Sequence, residues 1–485
     1  MDALIDKLNS LVWSWPLVIL CLVGGLYFTV GTRFLQVRKL GEMVRLLFHN
    51  DKTKKVGISS FQAFALALSG RVGTGNIVGV AMAVGYGGPG AVVWMWIVAF
   101  MGAGTAFAEA TLAQMYKCEY DGELRGGPSF YIEHGLRCKW LAMLFALCGL
   151  VAGCALLPPI HSNGIASSFA LTFGIEPWVA GVVVAVLIAL VVMGGVSRIA
   201  KVAQAVTPFV AMLYVLLSVV VLVVNYQAVP AAFADMIGSA FGVHQVLGGI
   251  MGLAVSWGVK RGIYSNEAGQ GTGAIVAAAA KVDHPVKQGL VQGFSVYVDT
   301  LLVCTATALM LLATGCYNVM GSDGELVMAG AREGLGEPGV GYTIAALATL
   351  LGDRCGGIVI SVALFFFAFT TIMAYYYYAD TCLMYLVRKV GADPRSGAVR
   401  GCVWGVRVLL VSAVVFGSVK EVRVIWNLGD VGVGVMAWIN IISILLLSPK
   451  VFKVFRDYER GQKQGEVPSY TTDDAAQEFW YRGNK

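Results

Sequence analysis

Eleven long apolar runs organise this sequence, near residues 13–33, 58–87, 90–116, 138–173, 177–195, 201–225, 244–275, 286–313, 355–386, 400–419 and 425–449. A bilayer's hydrocarbon core of roughly 30 Å takes about 20 apolar residues per helix, so 485 residues accommodate these spans with short connections. Only 13% of the residues are charged and the mean hydropathy is +0.73. Soluble domains carry about 25% charged residues, so a soluble globular protein is excluded. The expected fold class is an all-α polytopic membrane protein. The second, fourth and seventh runs exceed one straight span and are expected to be broken or tilted.

Short connections carry the charge. One alternate set holds Arg33, Arg38, Lys39, Arg45, Lys52, Lys54 and Lys55, then Lys117, Arg125, Arg137 and Lys139, then Arg198 and Lys201, Lys281 and Lys287, and Arg388, Lys389, Arg395 and Arg400. The opposite set has almost no Lys or Arg, and 315–354 carries Asp323, Glu325, Glu333 and Glu337 against Arg332 and Arg354. The positive-inside rule then puts the amino terminus outside and the carboxyl terminus in the cytoplasm of a multi-pass plasma (inner) membrane protein. Topology thus accounts for the net charge of +6, and no nucleic-acid partner is implied. The first run lacks a basic leader and is too long for a signal-peptide core, so it is read as a retained helix. Ten cysteines show no metal-ligand spacing; only Cys316 and Cys355 flank one external segment as a candidate disulfide.

Two runs are interrupted by glycine at corresponding places, SGRVGTGNIVGVA at 69–81 and SWGVKRGIYSNEAGQGTG at 256–273. Ten helices follow the first, and an odd number per half inverts the second five relative to the first. The organisation read from this is an extra helix and amphipathic segment over 1–57, repeats over 58–225 and 226–450, and a cytoplasmic tail over 451–485. Paired broken helices in inverted halves mark a transporter binding site. Three glycines between Gly70 and Asn76 each cost a helix about 1 kcal/mol relative to Ala. Unwinding there frees amides for a carboxylate and carbonyls for a bare cation. A glycine packing seam is the alternative. Adjacent Thr370 and Thr371, inside an aromatic run, offer neutral oxygens to a monovalent cation, or bond back to their own helix.

These segments, with AEATLAQMYKCEYDGELRGGPSFYIEHGL, KVDHPVKQGLVQGF, VDTLLVCTATAL and the Thr370–Thr371 region, resemble in order the alanine or glycine:cation symporter family over residues 58 to 449. The resemblance implies a leucine-transporter-type core of five plus five inverted helices with one extra amino-terminal helix. It implies sodium-coupled uptake of alanine or glycine by alternating access, with a proton as the alternative ion or another small solute as the alternative substrate, and no organic cofactor; a functional monomer is expected. By the same resemblance Gly73, Thr74, Gly75 and Asn76 take the substrate carboxylate, and Ser256, Trp257 and Gly258 meet its side chain. Sodium falls to the carbonyls of Ser69, Val72 and Phe367 and the hydroxyls of Thr370 and Thr371. The chain departs from the family at His161-Ser162-Asn163, where the family usually shows Gln two residues before Asn. His161 either faces the substrate amine or is satisfied within the bundle. It departs again at Tyr375–Tyr378 with Ala379-Asp380, where the family tends towards Trp and Gly-Glu.

Other classes fit less well. A channel needs rings of charge or carbonyls along a pore. No H-E-x-x-H, G-x-S-x-G or phosphate-binding G-x-x-x-x-G-K-[ST] occurs, which argues against an enzyme or an ATP-driven pump. Of the intramembrane charges, Arg71 is expected to pair with Asp299 or Glu267. Lys260, Arg261 and Glu267 are expected to line the cytoplasmic vestibule, with Glu109 and Asp380 near inner helix ends and Asp430 in the outer half of the last helix.

Overall fold

The computed structural model describes residues 2–48, 56–242, 251–321, 324–466 and 468–481. Lys52, Lys54, Lys55, Asp323 and the first residues of the seventh run, 244–250, lie outside the described residues. Backbone amides and carbonyls have no water to bond in a bilayer, so nearly every apolar run closes its own hydrogen bonds as helix. In chain order these are α1 (Asp2–Val12), α2 (Trp15–Gly31), the amphipathic α3 (Leu40–Leu47), α4 (Ser60–Arg71), α5 (Val80–Gly87), α6 (Gly90–Met115), α7 (Pro128–Leu136), α8 (Lys139–Val151), α9 (Pro158–Phe173) and α10 (Pro177–Val192). There follow α11 (Gly195–Val224), α12 (Val229–Ala240), α13 (Met251–Asn266), α14 (Thr272–Ala279), α15 (Pro285–Val296), α16 (Thr305–Thr314), α17 (Val340–Leu351), α18 (Asp353–Lys389), α19 (Gly397–Val419) and α20 (Val422–Lys463). Two small antiparallel hairpins, β1 (Cys118–Tyr120) with β2 (Glu123–Arg125) and β3 (Val319–Met320) with β4 (Leu326–Met328), sit in connections.

Each of the eleven runs has its helix, and the three long ones are interrupted as expected. Among the described residues eight spans are long and apolar enough to cross a membrane. The pair Ser60–Arg71 and Gly75–Gly87, bent by 50°, makes a ninth. The shorter Pro177–Val192 and the interrupted α13–α14 pair account for the other two. The fourth run is broken by a π-turn at Ala152–Leu156 ahead of Pro158 and Pro159, where a missing amide stops the α ladder.

Two groups of helices face each other. α6 runs through the first, packed on α2, α13, α14 and α15, while α9 packs on α18 and α19 in the second. α4 and α18 touch directly, and α11 leans on both. The outer surfaces of α10 and α11 expose Val186, Leu190, Phe209, Leu213 and Leu216, as a lipid-facing shell requires.

Two expectations need correction. Cys316 and Cys355 are free thiols, the first buried and the second exposed, so no disulfide joins them. The last helix does not end near residue 450: α20 runs on to Lys463, and residues 468–481 fold back onto the protein. There the Trp480 indole donates to the Gln114 carbonyl at 2.7 Å, the Tyr470 amide to the Asp283 carbonyl at 2.9 Å, and Arg388 pairs with Glu478 at 2.7 Å.

Candidate functional site

The first break has a definite hydrogen-bond cause. In an unbroken α-helix the Gly73 amide would bond the Ser69 carbonyl and the Asn76 amide the Val72 carbonyl. Instead Val72 is extended (φ −77°, ψ 93°), the Gly73 amide donates to Asn76 Oδ1 at 2.8 Å, and the Asn76 amide donates to the Gly73 carbonyl at 3.2 Å. The Ser69 and Val72 carbonyls are thereby released, and both turn to α18. Thr371 Oγ1 lies 2.7 Å from the Ser69 oxygen, 3.4 Å from that of Val72 and 2.9 Å from that of Phe367. One hydroxyl proton can serve only one of three acceptors, so four oxygens converge with little positive charge among them. Thr370 Oγ1 behaves differently and bonds its own helix, at 3.0 Å from both the Phe366 and Phe367 carbonyls.

On the other side of the break stands His161, carried into the bundle by the π-turn and the two prolines of the fourth run. Its Nδ1 is 3.0 Å from Thr74 Oγ1 and 3.5 Å from the Thr74 amide. Its ring meets Tyr375 edge-on at 5.2 Å, and its Nε2 is 3.5 Å from the Tyr264 hydroxyl. Gly73 has no space for a side chain, since a Cβ would stand 2.6 Å from Thr371 Oγ1 and 2.9 Å from the His161 ring. A Cβ at Gly75 would be 3.2 Å from the Tyr264 ring. His161 therefore faces the unwound segment.

Asn76 is fully engaged in holding the break. Its oxygen takes the Gly73 amide, and its Nδ2 donates to Asp299 Oδ1 at 2.6 Å. Asp299 is presented by a π-turn at Tyr297–Cys304 and also accepts from Ser265 and, at 2.7 Å, from Thr300. The second break, between α13 and α14, uses positive φ at Glu267, Gly269 and Gly271 and returns the Gln270 side chain to the Ile263 carbonyl at 2.6 Å. Left-handed backbone of this kind falls to glycine at two of the three positions.

Ser256, Trp257 and Gly258 are not brought to this cluster. Trp257 stacks on Tyr86 at 4.9 Å, Ser256 bonds its own helix, and Gly258 packs on Ala91 and Trp94. Ser256 and Trp257 line a cleft of about 380 Å³ with Asn9, Trp13 and Lys260. The α13 residues that do reach the first break are Tyr264 and Ser265, two helical turns further on. The available signal was position: Tyr264 lies seven residues after Trp257, on the same helical face and beside the second break.

Lys260 and Arg261 also differ from expectation, because both pair with Asp430. The Lys260–Asp430 distance is 2.7 Å, and Arg261 bonds the same carboxylate oxygen. They lie at the Asp430 end of the bundle, between the cleft and the first break, and not in an opposite vestibule with Glu267. The Arg261 guanidinium is stacked 4.6 Å over Trp426 and lies 5.4 Å from Tyr264. Cleft, ion pairs and Tyr264 thus form successive layers above Gly75. Arg71 makes no ion pair with Asp299 or Glu267; it bonds Ser295 and, at 3.3 Å, the Gln292 carbonyl and side-chain oxygen. Asp380 pairs with Arg125 at 2.8 Å, and Asn163 donates to the Gly417 and Lys420 carbonyls.

The sequence profile of the sodium:alanine symporter family matches residues 1–472. The chain belongs to that family. It is 49% identical to YrbD of Bacillus subtilis over 470 residues, spanning 97% of this chain and 95% of that one. It is 44% identical to the sodium/proton-dependent alanine carrier protein of Bacillus sp. strain PS3, over 91% of this chain and 98% of that one. The solved structure of MhsT in complex with L-phenylalanine is similar at a TM-score of 0.54 and 12% identity, covering 83% of this chain and 99% of that one. That likeness is one of fold, and the fold is the leucine-transporter type. Like the rest of the sodium:alanine symporter family, the chain is a secondary transporter and not an enzyme, and its ion-coupled class accounts for two polar breaks deep within an apolar bundle.

Proposed function

We propose that this symporter takes up alanine or glycine together with sodium by alternating access across the plasma membrane. The observation that carries the reading is the meeting of Thr371 Oγ1 with the two carbonyls that the first break releases, Ser69 and Val72. Neutral oxygens from two elements suit a monovalent hard cation. Phe367 supplies a third carbonyl, while the Thr370 hydroxyl stays bonded to its own helix and is left outside the shell. Binding of the ion draws α4 and α18 together and fixes the unwound segment, so it favours the conformation that accepts the amino acid.

The substrate carboxylate lies against Gly73, Thr74, Gly75 and Asn76, with Asn76 acting chiefly by shaping the turn. His161, Tyr264 and Tyr375 enclose the remainder, and the close approach of Tyr264 to Gly75 leaves room for little more than hydrogen or methyl. Ser256, Trp257 and Gly258 belong to the entry path. The amino terminus faces outward and the carboxyl terminus the cytoplasm, the two repeats are the halves 58–225 and 226–450, and one copy suffices for transport. Proton coupling is the second reading, favoured by the name of the Bacillus sp. relative. Uptake of labelled alanine, glycine and serine into proteoliposomes, driven in turn by a sodium and a proton gradient, tests both. Uptake of none of them under either gradient would overturn the proposal.

A further inference from the structure

Behind the first break, away from His161, lies a second polar cluster. Glu109 of α6 and Glu267 at the end of α13 are both completely buried, and Arg71 at the end of α4 is 2% exposed. Glu109 Oε2 accepts from Asn440 at 2.9 Å, and Glu267 Oε2 accepts from the Tyr378 hydroxyl at 3.0 Å. The other oxygen of Glu109, together with Arg71 Nε and Nη2, has no hydrogen-bond partner, and the Thr272 hydroxyl faces Glu267. Two glycines give the cluster its space. A Cβ at Gly273 would stand 2.5 Å from Arg71 Nη2 and 3.9 Å from Glu109 Oε1, and one at Gly70 would stand 3.3 Å from Glu267 Oε2. One glycine lies on each broken helix.

Two buried carboxylates in the field of one guanidinium, with no ion pair closed between them, leave one negative charge in excess where water is excluded, which costs several kcal/mol unless it is neutralised. Asp299 adds to the negative field, while Tyr131, Tyr264, Tyr375 and Tyr378 are the other ionisable groups facing the pair. A metal cation would confront the unpartnered N–H groups of Arg71, and no group of three metal-ligating side chains occurs among the described residues. A proton needs no ligand shell and turns one carboxylate oxygen from acceptor into donor.

We propose that Glu109 and Glu267, arranged about Arg71, share one exchangeable proton and form a proton-binding site separate from the amino-acid and sodium sites. The proton adds to a carboxylate oxygen of the pair and leaves from it to water when the bundle opens. It belongs to the pair, because the two groups interact through the same arginine. Its movement is tied to conformation: Glu267 terminates α13 at the second break, and its bond from Tyr378 reaches α18 in the facing helix group. The consequence for transport rests on the symport reading above; the binding of the proton does not.

Infrared absorption of the purified wild-type protein, scanned from about pH 5 to about pH 9, should show a protonated-carboxyl band that disappears as the pH rises. Glu109→Gln and Glu267→Gln should each remove or shift that component. In proteoliposomes the pH dependence of sodium-driven alanine uptake, changing up to about tenfold per pH unit for one linked proton, should flatten in both variants. A wild-type spectrum with no titrating carboxyl, or a band and pH profile unchanged in both variants, would overturn the proposal. The wild-type spectrum stands whether or not a variant folds. Binding of labelled alanine, measured separately, shows whether a failure belongs to the transport reading instead.

Discussion

Replacing Thr371 by Val changes little in shape but removes the one oxygen that joins α18 to the first break. In the native protein that oxygen is completely buried and meets the Ser69 carbonyl at 2.7 Å. The Gly73 amide, which would otherwise satisfy Ser69, is held by Asn76. The variant therefore strands a buried acceptor and deletes a cation ligand, at a cost of about 1–3 kcal/mol. If that cost falls on the sodium-loaded state, the sodium concentration for half-maximal alanine uptake rises about fivefold to a hundredfold. Thr370→Val is the internal control, since its hydroxyl bonds only its own helix and its loss should shift sodium dependence by less than about threefold. Both variants are assayed in proteoliposomes against external sodium, with sodium-dependent thermal stabilisation as a second readout. A Thr371→Val protein with wild-type sodium dependence, or a Thr370→Val shift equal to it, would refute the reasoning.

His161→Gln should alter the preference among alanine, glycine and serine while sodium dependence stays within about twofold, since the ring touches Thr74 and not the Ser69 and Val72 oxygens; an unchanged preference removes His161 from the amino-acid site. Asp430→Asn leaves Arg261, 1% exposed, without its counter-charge and should cost about 3–5 kcal/mol, seen as a lower melting temperature than for Asp430→Glu. Equal melting of the two variants would count against the layered closure. Outside the spans, burial first and the Lys287 charge second push the His284 imidazole from the usual 6.5 down to about 3. Its Nδ1 caps α15 by accepting the Val286 amide at 3.2 Å, which requires the neutral ring. The folded state takes up this proton less readily than the unfolded chain does. Its contribution is therefore complete above about pH 6.5 and is lost as the pH falls towards 3, a loss of about 2 kcal/mol at pH 5. Denaturation from pH 8 down to pH 5 should show this loss in the wild type and not in His284→Asn, which keeps an acceptor that does not titrate. Parallel curves would discount the histidine.

The spans and their interruptions were legible because one strong rule governs them: backbone polar groups in lipid must be paired within the helix or line a cavity. Glycine at Gly73 and Gly75, and at Gly269 and Gly271, marked where the rule is relaxed. The four oxygens around Thr371 could be paired with one another through family resemblance, although nothing in residue order shows which carbonyls a break releases. The amino-acid side was less legible. Ser256, Trp257 and Gly258 were placed by motif position, yet the helix turn that reaches Gly75 is fixed by how deeply α13 inserts, and that depth follows from Lys260 and Arg261 meeting Asp430. These pairings join residues about 170 positions apart, which no local pattern encodes. Arg71 was misassigned for a related reason, since Gln292 and Ser295 enter its surroundings only through packing of α15.

The 42-residue helix α20, with Pro449 inside it, has a contour of about 63 Å, roughly twice the hydrocarbon thickness. It is fastened at both ends. Near its start Asn427 accepts from Asn9 at 2.6 Å and Arg423 pairs with Asp6, and near its finish Tyr458 donates to Glu42 at 2.6 Å while Lys39 reaches Gln462 at 2.7 Å. Segments from the first 48 residues thus anchor a helix formed by the last quarter of the chain. A member tied at two levels makes a poor hinge and a good ruler. Spin labels at its two extremities should keep one separation in every ionic condition, against which labels on α5 and α14 would report displacement of the broken helices.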